Sequence, residues 1–469
     1  MHRFKRMEDI YLESMDELTL ELLTVLIQKH EMRGIPRIKH LRKYYKGQHD
    51  ILKRQFGDVS KPNNRIVNNF CKMISDITQG YFMGTPVSYD GTDEVFLMYL
   101  QDVYNYASEQ NQNSLLAKDA SIFGIGYELL YLDKEANVKM TNLPPEEVFM
   151  IYSIDVERRP IGAVRHYRVK NYIDESKWHK NVEVYTEDSI HYFSDKGGML
   201  QYIKTESHYF GICPVIPYFN NDEEIGDFEN VIGLQDAYNV AVSDQANDFE
   251  YMADSYLVIT GAEDTEDSEF LDMKQNRLLL LPTEGKAQWL VKQTDNATLE
   301  SYKNRLTKDI HRFSNVPDIN SEDFMSDISG AALKYRWQSM EQACANKERL
   351  FKDALMNRQK AICNIFGIKG LNFDYASVIP HFKRNIPVNN TEMVQMVQAL
   401  TGVVSKETLF NQLPFIGDAQ EELKRLEEEN GTADVYNTDE FSVNPWNAEP
   451  VDIEEEPEEQ KEPETTEED

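Results

Sequence analysis

Apolar positions recur at helical spacing from the start of the chain. Leu18, Leu22, Leu23, Leu26 and Ile27 share one face of an amphipathic helix over 16–32, with Gly34 and Pro36 as its expected stop. The same period predicts helices over 67–82 and 96–123. It then gives way to short alternating runs at 127–132, 164–169, 182–185 and 190–193, separated by Gly, Pro, Asp and Asn, so that 127–220 reads as a β-rich module. After Gly226 helical spacing returns through Val231, Leu234, Tyr238, Val242, Phe249 and Met252. A second small module follows, with strands at 256–259 and 277–281 around an acidic segment and Trp289 closing it. Another helix is expected over 298–313.

Residues 314–330 form a polar loop longer than compact domains usually tolerate without a function. Beyond it, 331–366 contain no Gly or Pro, a helix of roughly 54 Å at 1.5 Å per residue. Its apolar stripe runs through Leu333, Trp337, Met340, Cys344, Phe351, Leu355, Ile362 and Phe366, interrupted by Lys347 and Arg358. A stripe of that length calls for a long partner. Copies of the chain around an axis would supply one, since a heterologous contact that repeats closes into a ring; an ordinary helical domain that meets its own stripes is the alternative. Short helices at 392–400, 406–413 and 418–429 make a C-terminal unit. After Gly431 no period remains, and a Glu- and Pro-rich tail of this kind is expected to be disordered.

Composition narrows the class. A chain of 469 residues has room for about three compact units. With 41% apolar and 28% charged residues and no run near the roughly 18 apolar residues of a spanning helix, a soluble protein without membrane contact is expected. No leader-like apolar run opens the chain, which points to synthesis in a cytoplasm. Cys71, Cys213, Cys344 and Cys363 form no CxxC pair and read as free thiols in cores.

Charge is the stronger signal: 81 Asp and Glu stand against 49 Lys and Arg, a formal net charge of −32. From Glu427 onward there are 18 acids and one Lys, but the rest of the chain is acidic too. A negative field repels phosphates, which disfavours tight non-specific wrapping of DNA and leaves loose contact open. Between Arg33 and Lys72, by contrast, eleven Lys or Arg face two Asp. That block is either a contact for nucleic acid or an acidic partner, or a solvated helical face.

Catalytic signatures are missing. There is no Walker-type phosphate loop, no HExxH, no GxSxG and no paired-cysteine zinc pattern. Gly124 and Gly126 lack the rest of a dinucleotide fingerprint and suggest a close backbone approach beside a strand. Neither a catalytic constellation nor a cofactor or metal site is indicated.

Several segments resemble a known family. LRKYYKGQHDILKR (41–54), KPNNRIVNNF (61–70) and GYFMGTPV (80–87) resemble the N-terminal signature of portal proteins of long-tailed bacteriophages of Gram-positive hosts. FGIGYELLY (123–131) is similar to the entry into that family's wing. SNVPD (314–318), SEDF (321–324) and SGAALKYR (329–336) are similar to its tunnel loop and the start of its long helix. The order is collinear from Ile38 to Phe366.

This resemblance implies an α+β portal fold assembling as a ring. A β-rich wing would comprise 1–228 and 331–384, a helical stem 229–254 and 294–313, and a small α/β clip 255–293. The tunnel loop would be 314–330, the helical crown 385–430, and the acidic tail 431–469. In that family twelve copies surround a channel at one capsid vertex of the virion, after assembly in the host cytoplasm. Double-stranded viral DNA is packaged and ejected through it, and the portal hydrolyses nothing. Implied partners are the terminase large subunit, major capsid and scaffold proteins, and a head-to-tail adaptor.

Carried onto this chain, the loop residues are Asn315, Asp318, Asn320, Glu322, Asp323, Phe324, Met325 and Asp327. Phe324 and Met325 would touch DNA grooves or pack against a neighbour. Channel-lining stem candidates are Asp236, Asp244 and Asp248, and terminase- or adaptor-facing clip candidates are Glu263, Asp264, Glu266, Asp267 and Glu269. Carboxylates along a channel would let DNA slide. Two other classes fit the composition: a metal-dependent nucleic-acid enzyme built on an unrecognised carboxylate cluster, and an acidic intracellular scaffold without DNA contact.

Overall fold

The computed structural model describes residues 7–56, 61–170, 178–195, 198–253, 256–260, 286–290, 296–319, 321, 330–385, 397–411, 413, 416 and 422–426. Within these, side chains at 251–253, 256–260, 286–290, 296, 330–334, 407 and 411 are not described. The chain divides into two units, Met1–Pro387 and Val388–Asp469.

In the first unit a short strand β1 (Ile10–Leu12) precedes helix α1 (Leu20–Lys29), whose first turn is capped by Thr19 accepting from the Leu22 N–H at 3.2 Å. The expected stop at Gly34 and Pro36 is not a stop. The chain passes through a π-turn (His30–Gly34) straight into α2 (Ile35–Tyr45), with the Ile35 N–H donating to the His30 carbonyl. Widening one turn accommodates the ring of Pro36, which has no N–H to give.

Helix α3 (Phe70–Met83) starts later than its apolar period suggests, because Asn69 accepts from the Lys72 N–H at 3.1 Å and the residues before it run extended. Strand β2 (Ser88–Gly91) leads to α4 (Glu94–Ala107) and α5 (Glu109–Phe123). The single helix expected over 96–123 is therefore two. Ser108 sits in the left-handed region (φ 54), and one such residue turns the axis so that both helices bury their stripes in the same core.

The β-rich module contains β3 (Ile125–Leu132), β4 (Val138–Leu143), β5 (Val148–Ser153), β6 (Pro160–Lys170), β7 (Trp178–Tyr185), β8 (Ser189–Ser194), β9 (Gln201–Ser207) and β10 (Val215–Phe219). Six strands form a sheet ordered β1-β5-β6-β7-β8-β9, antiparallel except for β1 beside β5; the other sheet is β10-β3-β4. Alternation assigns the faces. Phe149, Ile151, Val164, Val182 and Val184 meet Leu23, Leu26 and Ile27 of α1, while Val148, Met150, Ala163 and Tyr185 meet the second sheet through Ile125, Tyr127, Leu143 and Val215. Gly124 (φ +87) is the tight approach that its place before a strand suggested, since a Cβ there would lie 1.9 Å from the Glu224 carbonyl oxygen.

Beyond the module come α6 (Ile232–Ala253), β11 (Tyr256–Thr260), β12 (Lys286–Leu290), α7 (Asn296–Ser314), α8 (Gly330–Ile368) and β13 (Val378–His381), which pairs with β2. Strand β11 pairs antiparallel with β12, from Tyr256 opposite Leu290 to Thr260 opposite Lys286, and Trp289 lies within β12. The strand expected at 277–281 lies outside the described residues.

Helix α8 is the long helix foreseen, but its stripe is not left for another molecule. Trp337, Met340, Cys344, Phe351, Leu355, Ile362 and Phe366 are buried in one core with Phe96, Leu100, Leu116, Leu130, Met140 and Tyr218 of the same chain. Arg358 and Lys347, which interrupt the stripe, are buried with it and neutralised by Glu128, Glu109 and Asp227. From Trp337 to Phe366 intramolecular packing completes this seam, so that part of α8 offers no reason for a ring. In the second unit, helix α9 (Lys406–Asn411) lies within the range expected for a helix, and Leu409 and Leu413 are buried.

Candidate functional site

Helix α6 carries Gln235, Asn239, Ser243 and Asn247 at every fourth position, all buried. Polar groups in that position need partners, and the extended segment ahead of α3 provides them. The Phe70 N–H donates to Gln235 Oε1 (2.9 Å), Asn68 N–H to Asn239 Oδ1 (3.0 Å), Ile66 N–H to Ser243 Oγ (2.9 Å) and Asn64 N–H to Asn247 Oδ1 (2.7 Å). Four helical residues rise about 6.0 Å and two extended ones about 6.6 Å, so the two repeats stay in step over this length. Asn239 also meets His49 Nδ1 at 2.8 Å, and Gln235 donates to Asn239 at 3.0 Å. The segment KPNNRIVNNF is thus fastened along α6 by its backbone. The only trace in the sequence is a polar i, i+4 row in a mostly apolar helix.

The three stem candidates occupy the same helix, which contains no Lys or Arg. Asp236 accepts the Tyr44 hydroxyl on both oxygens, at 2.8 and 2.9 Å. Burial holds its carboxyl above the usual range even though the Tyr44 bond works the other way, and burial with the Asp236 contact raises the phenol of Tyr44. Asp244 pairs with Arg54 at 2.6 Å with its side chain 55% exposed, and Arg54 continues to the Asn64 carbonyl at 2.7 Å. Asp248 lies one turn further, half-buried.

The basic block is largely spent inside the chain. Besides Arg54, Arg42 pairs with Glu146 (2.5 Å) and Lys72 with Asp76, while Arg37 pairs with Glu229 (2.9 Å) and donates to the carbonyls of Phe123 (3.1 Å) and Glu224 (2.8 Å). Arg37 thereby clamps the β-module to the turn that starts α6, a role that nothing in its neighbourhood announces. Lys39 and Lys43 stay exposed on α2, as does Lys46 just after it.

Helix α7 delivers the chain to the loop. Asn315 takes the left-handed conformation (φ 60) that ends the helix, and Pro317 follows. The His311 imidazole bonds the Val316 carbonyl through Nδ1 (3.0 Å) and approaches Asp318 at 3.8 Å through Nε2. Val316 and Ile310 are buried with Phe123, Phe228 and Val231, so the first loop residues are pinned. On the far side, Lys347 of α8 donates to Asp227 at 2.9 Å and ties α8 to the turn before α6. Asn320, Glu322, Asp323, Phe324, Met325 and Asp327 lie outside the described residues, as do Glu263, Asp264, Glu266, Asp267 and Glu269.

Among the described residues no three His, Cys, Asp or Glu gather as a metal site, and no helix is long and apolar enough to cross a membrane. The four cysteines are free and buried, and burial pushes the thiols of Cys213 and Cys344 up to about 12 and about 11.

Comparison with known proteins agrees with the collinear motif order. The chain is 24% identical over 465 residues to the portal protein of Bacillus phage SPP1, covering 91% of this chain and 90% of the relative. It is 25% identical over 446 residues to the portal protein of Clostridium phage phiCD119, covering 88% and 96%. The profile of the family described as phage portal protein, SPP1 Gp6-like, matches residues 25–436. A match across most of the chain, motifs and helices alike, makes this protein a member of the SPP1 Gp6-like phage portal family.

Proposed function

We propose that the chain is the repeating subunit of a portal ring at one vertex of a phage capsid. Twelve copies surround the channel through which double-stranded DNA enters and leaves. The observation that carries this reading is the family match over 25–436, most of the chain. Residues 229–254 and 294–313 are the stem, with 255–293 as the clip that docks the terminase large subunit and later the adaptor. Residues 314–330 form the tunnel loop and 385–430 the crown. The wing, 1–228 with 331–384, meets capsid and scaffold proteins.

Charge supports sliding rather than gripping. The net charge of −32, and a stem helix α6 with four acids and no base, present DNA with repulsion at close range. Of the three channel candidates on α6, Asp236 is tied to Tyr44 and Asp244 to Arg54, so both contribute mainly to the wall's shape. Phosphate-bond energy comes from the terminase, and the portal itself is structural. A phage lacking this chain should yield particles without packaged DNA. DNA-filled, infectious particles made in its absence would contradict the proposal.

A further inference from the structure

The two helices assigned to the stem carry opposite charge on the sides they turn outward. Helix α7 buries Leu306 and Ile310 and touches α6 through Lys303 and Glu300, which meet Gln245 at 2.7 and 3.1 Å. Helical spacing places Ser301, Arg305, Lys308 and Arg312 on the opposite side, all exposed, with Arg305 bonded to Asp309 at 2.7 Å. Tyr302 and Phe313 flank this row, 47% and 56% exposed. On α6 one face holds the ladder to 64–70 and another meets α7. A third face carries Val240, 42% exposed, with Asp244, which pairs with Arg54 yet keeps its side chain 55% exposed, and half-buried Asp248 one and two turns on.

We infer that the basic outer face of α7 docks on the acidic third face of α6 in a second copy of the chain. The inference rests on the ring reading above and adds the surface that closes it. The two faces differ, so the contact is heterologous: each subunit offers α7 to one neighbour and α6 to the other, and repetition about an axis leaves no face unused. Exposed apolar side chains on both sides supply contact area. The charges choose the partner and the direction, the task they perform best at interfaces. Since α8 from Trp337 to Phe366 is satisfied within its own chain, these faces are the better candidates for contact between subunits.

Mixing separates this inference from the ring reading. Lys308→Glu with Arg312→Glu makes the α7 face acidic, and Val240→Lys with Asp248→Lys makes the α6 face basic. All four positions are partly or fully exposed, and circular dichroism melts establish that each variant folds. Wild type should form rings by native mass spectrometry, while each variant alone should remain monomeric. Their equimolar mixture should recover rings of alternating subunits, because every interface then pairs opposite charges.

Rings from both variants alone, or folded variants whose mixture does not assemble, would overturn the α6–α7 contact while leaving the ring intact. Absence of wild-type rings would overturn the ring itself. The milder pair K308Q/R312Q guards against misfolding. It should need at least about tenfold more subunit to assemble, and an unchanged requirement would also refute the contact.

Discussion

Arg358 is the largest fully buried side chain among the described residues, 0% exposed in the middle of α8. Its guanidinium reaches both oxygens of Glu128 at 2.8 Å, Glu109 at 3.0 Å and Asn113 at 2.8 Å, and Tyr218 adds a bond to Glu128 at 2.8 Å. Burial alone would lower its pKa, but the carboxylates overcome that and raise it well above the ordinary value. Replacing Arg358 by Met would strand two carboxylates in the core and should cost about 3–5 kcal/mol in thermal denaturation. Adding Glu128→Gln to that variant should recover part of the loss; no recovery would mean the pair is not what holds this region.

A second residue-scale test is acid. His30 Nδ1 and His166 Nε2 lie 2.8 Å apart, beside Phe149 and near Glu31, Lys180 and Arg168. Burial, then the neighbouring imidazole, lowers His30 to about 3, and burial lowers His166 to about 4. Unfolded imidazoles bind protons near pH 6.5 while these do not, so their contribution is complete above 6.5 and is lost as pH falls toward 4. The slope is at most about 1.4 kcal/mol per pH unit for each. Asp119, which burial pushes up to about 6, works the opposite way and offsets one of the two. Melting temperature should therefore fall between pH 6.5 and 4, and His166→Phe should flatten that fall.

At the scale of elements, the ladder on α6 is the most exacting part of the design. Ser243→Ala would leave the Ile66 N–H without its acceptor and should cost about 1–3 kcal/mol. Hydrogen exchange gives the sharper reading. The amides of Asn64, Ile66, Asn68 and Phe70 should exchange slowly, and S243A should release Ile66 first. Equal exchange in both proteins would dismiss the ladder.

Why this device escaped sequence reading is physical. Its two halves lie 165 to 183 residues apart, and a backbone N–H donor leaves no mark on residue type. The break at Ser108 was hidden because no Gly marks it, and at the π-turn Gly34 and Pro36 read as a stop because the same residues suit a widened turn and a helix end. The β-module and α8 were legible because alternation and an uninterrupted run without Gly or Pro are themselves the cause of those elements. What α8 packs against was not, since an apolar stripe has the same appearance whether its partner is in the same chain or another. Among the site residues, the stem acids could be placed on a helix from spacing alone. The role proposed for the loop came from resemblance, because an acidic loop has no chemistry of its own to read.

For the whole molecule, the contact inferred between α6 and α7 joins copies of the chain through opposite charges as well as exposed apolar side chains. That makes the assembly electrostatic in direction and sensitive to salt, since exposed charges are screened within roughly 8 Å at physiological ionic strength. Rings of wild type should accordingly loosen between 0.1 and 1 M salt. The most direct measurement is electron microscopy of the purified chain at low salt. Annular particles with a central hole wide enough for a DNA duplex are expected. A uniform population of single subunits at every concentration tried would contradict the ring reading.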